Sequence, residues 1–431
     1  RARSRAPLAL PAEPAAAATR AAAAMDSAAM DPFVSYRPEL WQPLVNRTPA
    51  GQVGHRKRKI KKPCATTGCH YHVVKGSDEH RLSRVCPGQV GGSIVGASAH
   101  AEEPPVRCDD SAARISTSGV RLLFGVHSGP ASVDRRDGIR STWMKWQRGT
   151  STLVCFLLGK SGVEPTQLQR TEEEAARWRD VLWLTFNATE GARPRLTIAK
   201  AAAWWQAAVH MLGPGSSTLV GRADDDTFVV LPRLHAHLQQ LGCVRHLCYG
   251  PMAYVGYNPA TYAKCGWGWA GDGNYYKYLC EATGAQPPFP FPFGTLQVLS
   301  AAVVRHLARS RELRRFVAQS EEVTAATLGG AQDLQARPFD QAEDAALGFW
   351  LSRAQLQRRL NLTYVDVMAR TPNLACYRQR GLYQIPQPGL VALHYIKKAE
   401  GMRFAWKVLH DGAKMEPKAC HRIARKWGVD I

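Results

Sequence analysis

From about residue 119 onward, short apolar runs alternate with stretches in which apolar residues recur every three or four positions. Arg121–Val126 and Ser151–Gly159 are almost continuously apolar, the pattern of strands buried on both faces. Val181–Phe186 and Thr218–Gly221 repeat it. Between these runs the spacing predicts helices over Asp134–Arg148, which carries Ile139, Trp143 and Trp146, over Glu172–Arg179, and over Pro194–Leu212. The last starts with a proline, where a first turn tolerates one. Strand and helix alternating at this interval predict βαβ units and a largely parallel sheet. Such sheets bind ligands at the carboxyl ends of their strands.

The rest of the chain lacks this texture. Residues 1–30 are rich in Ala, Arg and Pro, with Glu13 and Asp26 as their only acids, and are expected to form no packed core. A stem-like region is expected to run to residue 115, an α/β domain to fill 116–400, and a basic tail to occupy 401–431. No apolar run approaches the ~18 residues of a bilayer span. With 45% apolar and 21% charged residues, a wholly disordered chain is excluded. Eleven Cys in 431 residues also exclude a small disulfide scaffold.

Net charge is +21, of which +7 falls in residues 1–115 and +14 in the remainder. A nucleic-acid module would concentrate that excess on one motif, and no such motif is present. A basic surface and a preference for anionic ligands such as nucleotide diphosphates both remain open. The run His55–Lys62 reads as a solvated stem cluster, a nuclear signal or a polyanion patch. Cys64 and Cys69, with His70 and His72 close by, offer zinc ligands, but no second properly spaced pair follows.

Asp224-Asp225-Asp226 is the sharpest local feature, directly after an apolar strand and before Phe228-Val-Val-Leu231. Adjacent carboxylates repel unless a cation neutralises them. In extended chain, residues i and i+2 share a side, so Asp224 and Asp226 can converge on one hard divalent ion. An exposed acidic turn or a helix cap is the alternative. Glu343-Asp344 opens an apolar helical stretch, either as a cap or as a general base. His394 lies in the strand-like run Val391–Ile396, either as a core residue or as a neutral imidazole ligand. Residues 262–293 are aromatic and Gly-rich, including Trp267 and Trp269; they suit a loop packed by its own aromatics or a surface that stacks on sugar rings.

Taken in order, these features resemble a family. Arg135-Arg-Asp-Gly-Ile-Arg-Ser-Thr-Trp143 resembles the Ile-Arg-x-Thr-Trp motif of the β-1,3-glycosyltransferases, the fringe-related galactosyltransferase and N-acetylglucosaminyltransferase group of glycosyltransferase family 31. Asp180–Phe186 followed by Leu196–Lys200 is similar to its "D-I-L…F…N-L-T-L-K" stretch, with one extra residue before the lysine. Arg222–Phe228 is similar to its "K-x-D-D-D-x-F", and Phe293–Ser300 to its "G-x-x-Y-V-L-S" segment. Glu343–Gly348 stands where the family has "E-D-V-x-x-G", with Ala345 in place of the valine. The likeness covers about residues 120–396.

The resemblance implies a GT-A fold, a Rossmann-like sheet flanked by helices, using Mn²⁺ and a UDP-sugar (UDP-galactose or UDP-N-acetylglucosamine). It implies Asp226 as the principal metal ligand, aided by Asp224 and His394. Donor contacts would come from Arg136, Arg140, Lys200, Asp224 and Asp225. Asp344 would be the base, with Glu343 as its substitute, and Trp267 and Trp269 would meet a glycan or glycoprotein acceptor. A non-catalytic carbohydrate-binding protein on the same fold is the alternative. The sequons at Asn46, Asn187 and Asn361, and a Cys265–Cys280 disulfide, would suit a Golgi lumenal home. Any membrane anchor is expected upstream of Arg1.

Overall fold

Alternate residues of each buried strand feed two different hydrophobic cores. Leu123, Cys155, Leu157, Val220 and Leu299 join one. Leu122, Phe124, Val126, Phe156, Ala223 and Val298 join the other. A period of two therefore gives one sheet a core on each face. This computed structural model describes residues 72–75, 108, 121–186, 196–212, 217–258, 263–264, 267–269, 275–276, 286–311, 313–314, 318, 343–372 and 389–410. The chain divides into two units, Arg1–His55 and Arg56–Ile431, and every described residue lies in the second.

Along the chain, β1 (His72–Lys75) is followed by β2 (Leu122–His127), α1 (Val133–Arg140), a 3-10 helix at Trp143–Thr150 and β3 (Thr152–Gly159). Next come α2 (Pro165–Trp178), β4 (Val181–Leu184), α3 (Leu196–Met211), β5 (Leu219–Asp224), β6 (Phe228–Val229) and α4 (Leu231–Gln240). Then follow β7 (Leu247–Gly250), β8 (Met252–Asn258), β9 (Ala263–Lys264), β10 (Trp267–Trp269), β11 (Tyr275–Tyr276), β12 (Gln286–Pro292) and β13 (Gln297–Ser300). The last described elements are α5 (Ala301–Arg309), α6 (Glu343–Leu356), β14 (Thr363–Asp366), β15 (Ala392–Leu393) and α7 (Ala399–Leu409).

The main sheet has the order β1-β14-β7-β13-β5-β2-β3-β4. Its strands pair in parallel, except that β13 runs antiparallel to both β5 and β7. The result is a mixed α/β protein with a mostly parallel central sheet, as the strand and helix alternation predicts. A second, antiparallel sheet orders β11-β10-β8-β12, with β9 on β8. Helix α6 lies against β12: a Cβ built on Gly348 would meet Phe291 Cβ at 2.3 Å. That seat fixes where the N-terminus of α6 points. Among the described residues no helix is long and apolar enough to cross a membrane.

Two expectations are corrected. The helix expected over Asp134–Arg148 ends at Arg140. Thr142 takes φ −129° and ψ −113°, and its hydroxyl and that of Ser141 both donate to Gly138 O, competing with the next helical turn. The compact part also extends beyond 116–400. Val74 of β1 is buried in the sheet, and Cys108 is buried and disulfide-bonded to Cys155 of β3. Helix α7 packs on α1, so that a Cβ on Gly138 would lie 2.9 Å from Ala399 Cα. Cys248 is a free, buried thiol. Residues 1–55, the basic run, Cys64, Cys69, His70, Cys265, Cys280, Asn46 and Asn187 lie outside the described residues.

Glycine at 221 lets β5 pass the ring of Phe124, since a Cβ there would sit 2.4 Å from its Cδ2. Gly221→Ala should therefore destabilise the fold by about 1–3 kcal/mol, the scale of core overpacking. The check is the urea midpoint of the variant at unchanged m-value. A wild-type midpoint would contradict the packing.

Candidate active site

Strand β5 delivers Asp224 to the carboxyl edge of the sheet, level with His127 at the end of β2. There the chain turns back on itself, Thr227 N donating to Asp224 O at 3.1 Å. The turn is pinned from both sides. Asp225 N donates to His127 O at 3.1 Å, and Ile396 N donates to Asp226 O at 2.8 Å. The second contact brings the segment after β15 onto the acidic triplet, so His394 arrives from more than 160 residues away in sequence.

The three carboxylates diverge in role. Asp225 is tied into the protein: Ser128 Oγ donates to Oδ2 at 2.9 Å and Arg135 Nη1 to Oδ1 at 2.7 Å. Asp224 and Asp226 instead turn to one place, as their i and i+2 spacing implies. One ligand atom from each of Asp224, Asp226 and His394 falls within 4.8 Å of the others. His394 Nε2 is 3.2 Å from Asp226 Oδ1 and 4.0 Å from Asp224 Oδ2. Asp226 Oδ1 is buried and faces the imidazole of His394. Two carboxylates and an imidazole gathered at one place are a donor set that fits a hard or borderline divalent cation.

Electrostatics separate the two carboxylates. Burial pushes Asp224 up to about 6, with the Glu343 and Asp226 carboxylates adding to it against the guanidinium of Arg222. Burial acts on Asp226 in the same sense, but His394 and Lys397 outweigh it and hold that carboxyl well below the usual range. Lys397 Nζ donates to Asp226 Oδ2. The fully buried Arg222 donates to Asp224 Oδ1 at 3.4 Å and to Glu343 Oε1 at 3.0 Å. It thereby joins the strand carboxylates to the start of α6. Gly294 closes the other side, where a Cβ would come within 3.0 Å of Asp224 Oδ2.

The remaining expected residues are placed as follows. Glu343 reaches the cluster through Arg222. Asp344 Oδ1 accepts from Ala345 N at 2.7 Å, a local contact at the first turn of α6. Lys200 is buried and donates to Ser128 O at 2.5 Å, supporting the loop that holds Asp225. Arg136 and Arg140, expected to meet a donor nucleotide, are instead turned to carboxylates of the fold. Arg136 binds Glu174 through two nitrogens, at 2.7 and 2.6 Å, and also donates to Gly129 O and Ser128 Oγ. Arg140 binds Asp180 at 2.7 and 2.8 Å and contacts Glu174. The arginine that does face the triplet is Arg135. Residues 136 and 140 share a helix face and 135 does not, so helical spacing could have separated them. Trp267 and Trp269 lie on β10 of the second sheet. Lys397 and Ser128 were missed, because no local pattern marks them.

The sequence model of the family described as Galactosyltransferase matches residues 134–339. An N-acetyllactosaminide beta-1,3-N-acetylglucosaminyltransferase 4 from Mus musculus is 27% identical over 195 residues, 44% of this chain and 51% of that protein. The chain thus spans about half the length of that curated relative. Among solved structures, a precorrin-6y C5,15-methyltransferase from Geobacter metallireducens GS-15 aligns at TM-score 0.16 and 10% identity over 48% of this chain and 99% of that one. An overlap that small carries no argument.

The Arg136–Glu174–Arg140 cluster yields a test of its structural role. Burial alone would raise Glu174, but its two guanidinium partners hold it below the ordinary value. A depressed folded value means that the stability it confers is present above the unfolded pKa of ~4.3 and is lost as pH falls through the folded one. Glu174→Gln should cost about 3 kcal/mol at pH 7, the scale of breaking a buried pair. The gap to wild type should shrink below about pH 4. Denaturant unfolding of both proteins from pH 7 to pH 3 measures it, and a pH-independent gap would refute the ion-pair assignment.

Proposed function

We propose that this protein is an inverting, divalent-cation-dependent glycosyltransferase on a GT-A fold, a reading supported by the match of residues 134–339 to the galactosyltransferase family. It moves galactose or N-acetylglucosamine from a UDP-sugar to a glycan or glycoprotein acceptor, forming a β-1,3 linkage. The observation that carries the reading is the convergence of Asp224, Asp226 and His394 at the carboxyl edge of a mostly parallel sheet. The family and the name of the mouse relative support the reaction class.

In this mechanism Asp226, Asp224 and His394 would hold Mn²⁺. When bound, the ion supplies positive charge against the diphosphate that leaves the sugar. Asp225, held by Ser128 and Arg135, keeps the turn in place so that its two neighbours face inward. Glu343 is engaged by Arg222, which makes it a brace between β5 and α6. Asp344, next to it, takes the proton of the acceptor hydroxyl. The hydroxyl oxygen attacks the anomeric carbon from the side opposite the diphosphate, so an α-linked donor gives a β-linked product. Trp267 and Trp269 are the residues assigned to the acceptor sugar in this reading. The Cys108–Cys155 disulfide and the sequon at the exposed Asn361 suit the oxidising, glycosylating lumen of the Golgi.

The deciding experiment incubates the protein with Mn²⁺ and a panel of UDP-sugars and scores UDP release with and without acceptor glycans. Turnover with UDP-galactose or UDP-N-acetylglucosamine supports the reading. Sugar binding without any turnover would favour a non-catalytic lectin. Asp226→Ala should remove Mn²⁺-dependent UDP binding in calorimetry while the protein still melts cooperatively. UDP affinity that ignores both EDTA and this substitution would sink the metal assignment.

The acidic pair at the start of α6 can be divided by substitution. Asp344→Asn should lower kcat by roughly 10²-fold or more, the scale of lost general-base help. UDP-sugar affinity should stay within about threefold, because a base acts mainly in the transition state. A purely capping Asp344 would instead cost about 1 kcal/mol or less of stability and leave turnover near normal. If Glu343→Gln abolishes turnover and Asp344→Asn does not, the base is Glu343.

A further inference from the structure

Each carboxylate of the triplet is met by a cation from a different part of the chain: Asp224 by Arg222, Asp225 by Arg135 and Asp226 by Lys397. The first two cations are built in. Arg222 has no exposed side-chain surface, and Arg135 is shared between Asp225 and Lys397 O. Lys397 is different. Its side chain is 45% exposed, and it reaches a carboxylate that is only 5% exposed. The backbone behind it is fixed: Arg135 Nε donates to Lys397 O at 3.2 Å, Ile396 N is bonded to Asp226 O, and Tyr395 is held at φ +66°. A non-glycine residue in that region marks a segment its surroundings over-determine. The ammonium on its four-carbon stem is therefore the movable cation of this site.

An ammonium on Asp226 Oδ2 and a divalent ion drawn to the same carboxylate repel one another. Both cannot hold Asp226 at full strength. The ion has the further attraction of Asp224 and His394, whose ligand atoms lie within 4.8 Å of each other and of Asp226. With the metal in place, the displaced ammonium lies next to whatever anion the metal has brought.

We propose that Lys397 is the resting counter-ion of the metal site: it neutralises Asp226 before the divalent cation binds, yields to that cation, and then binds the diphosphate of the donor. The proposal rests on the glycosyltransferase reading above. It makes binding of ion and nucleotide mutually dependent, since the ion alone must displace a lysine that has no anion to receive it. Lysine suits the task better than arginine because its ammonium is a compact point charge on a flexible stem.

Calorimetry separates the two halves. Wild type, Lys397→Met and Lys398→Met are each titrated with Mn²⁺ alone, then with UDP at saturating Mn²⁺. Lys398 is the exposed neighbour and controls for loss of one positive charge. Lys397→Met should bind Mn²⁺ alone about tenfold more tightly, and UDP in the presence of Mn²⁺ about tenfold more weakly, the order of coupling between close charges. Lys398→Met should match wild type in both titrations. Unchanged or weaker Mn²⁺ binding by Lys397→Met would overturn the counter-ion role. Tighter Mn²⁺ with unchanged UDP would overturn the transfer to diphosphate. Equal effects from both lysines would reduce it to net charge. If wild type binds Mn²⁺ and UDP together and Lys397→Met does the same, only this proposal fails. If wild type binds neither, the glycosyltransferase reading fails with it.

Discussion

Three adjacent carboxylates at the end of a buried strand can stand together only if cations surround them, and the edge of this sheet is organised around that requirement. Arg222 rises from the same strand, Arg135 comes from the first turn of α1, and Lys397 comes from the segment before α7. These three elements are far apart in sequence. Their common purpose explains why the loop after β2, the start of α1 and the residues after β15 all meet at one turn. It also explains the division of labour. Asp225 is satisfied by fixed partners, while Asp224 and Asp226 keep oxygen atoms turned toward His394.

The same matching recurs one layer behind the site. Arg136 and Arg140 are buried with Glu174 and Asp180, and Arg136 also grips the carbonyl of Gly129. Lys200 donates to the carbonyl of Ser128. Both cations thus hold the loop whose Ser128 hydroxyl orients Asp225. The arginine-rich motif of α1 acts through this loop, with one side of the helix bracing it and Arg135 facing the acids. Substitutions in the bracing layer would therefore reach the site through geometry, by shifting the turn that aims Asp224 and Asp226.

Glycines supply the other half of the construction. Gly221 allows β5 to pass Phe124, and Gly348 lets α6 settle on β12. Gly294 brings the backbone between β12 and β13 against Asp224 and Arg222. The outcome is that the N-terminus of α6, with Glu343 and Asp344, faces the carboxyl edge of β5 through the single guanidinium of Arg222. The strand end that carries Asp224 and Asp226 and the helix start that carries Glu343 are thereby tied to each other.

Much of this was legible in the residues. Continuous apolar runs mark β2, β3, β4 and β5, because strands buried on both faces leave no polar alternation. The i and i+2 spacing of Asp224 and Asp226 predicts their convergence, because extended chain repeats every two residues. Other features lay beyond local pattern. Whether His394 was a core residue or a partner of the triplet depended on where β15 pairs, and only its ladder with β6 brings it there. Arg136 and Arg140 looked like ligand-binding cations, yet burial beside Glu174 and Asp180 makes them braces. Lys397 carried no signal at all, since one exposed lysine in sequence resembles any other. Sequence determined the alternation, the strand ends and the identity of the acids, because these follow from covalent spacing and hydrophobic period. Tertiary structure alone decided that Arg135 meets Asp225 and Lys397 meets Asp226, because these charge pairs form between elements that the fold brings together across 90 and 171 residues.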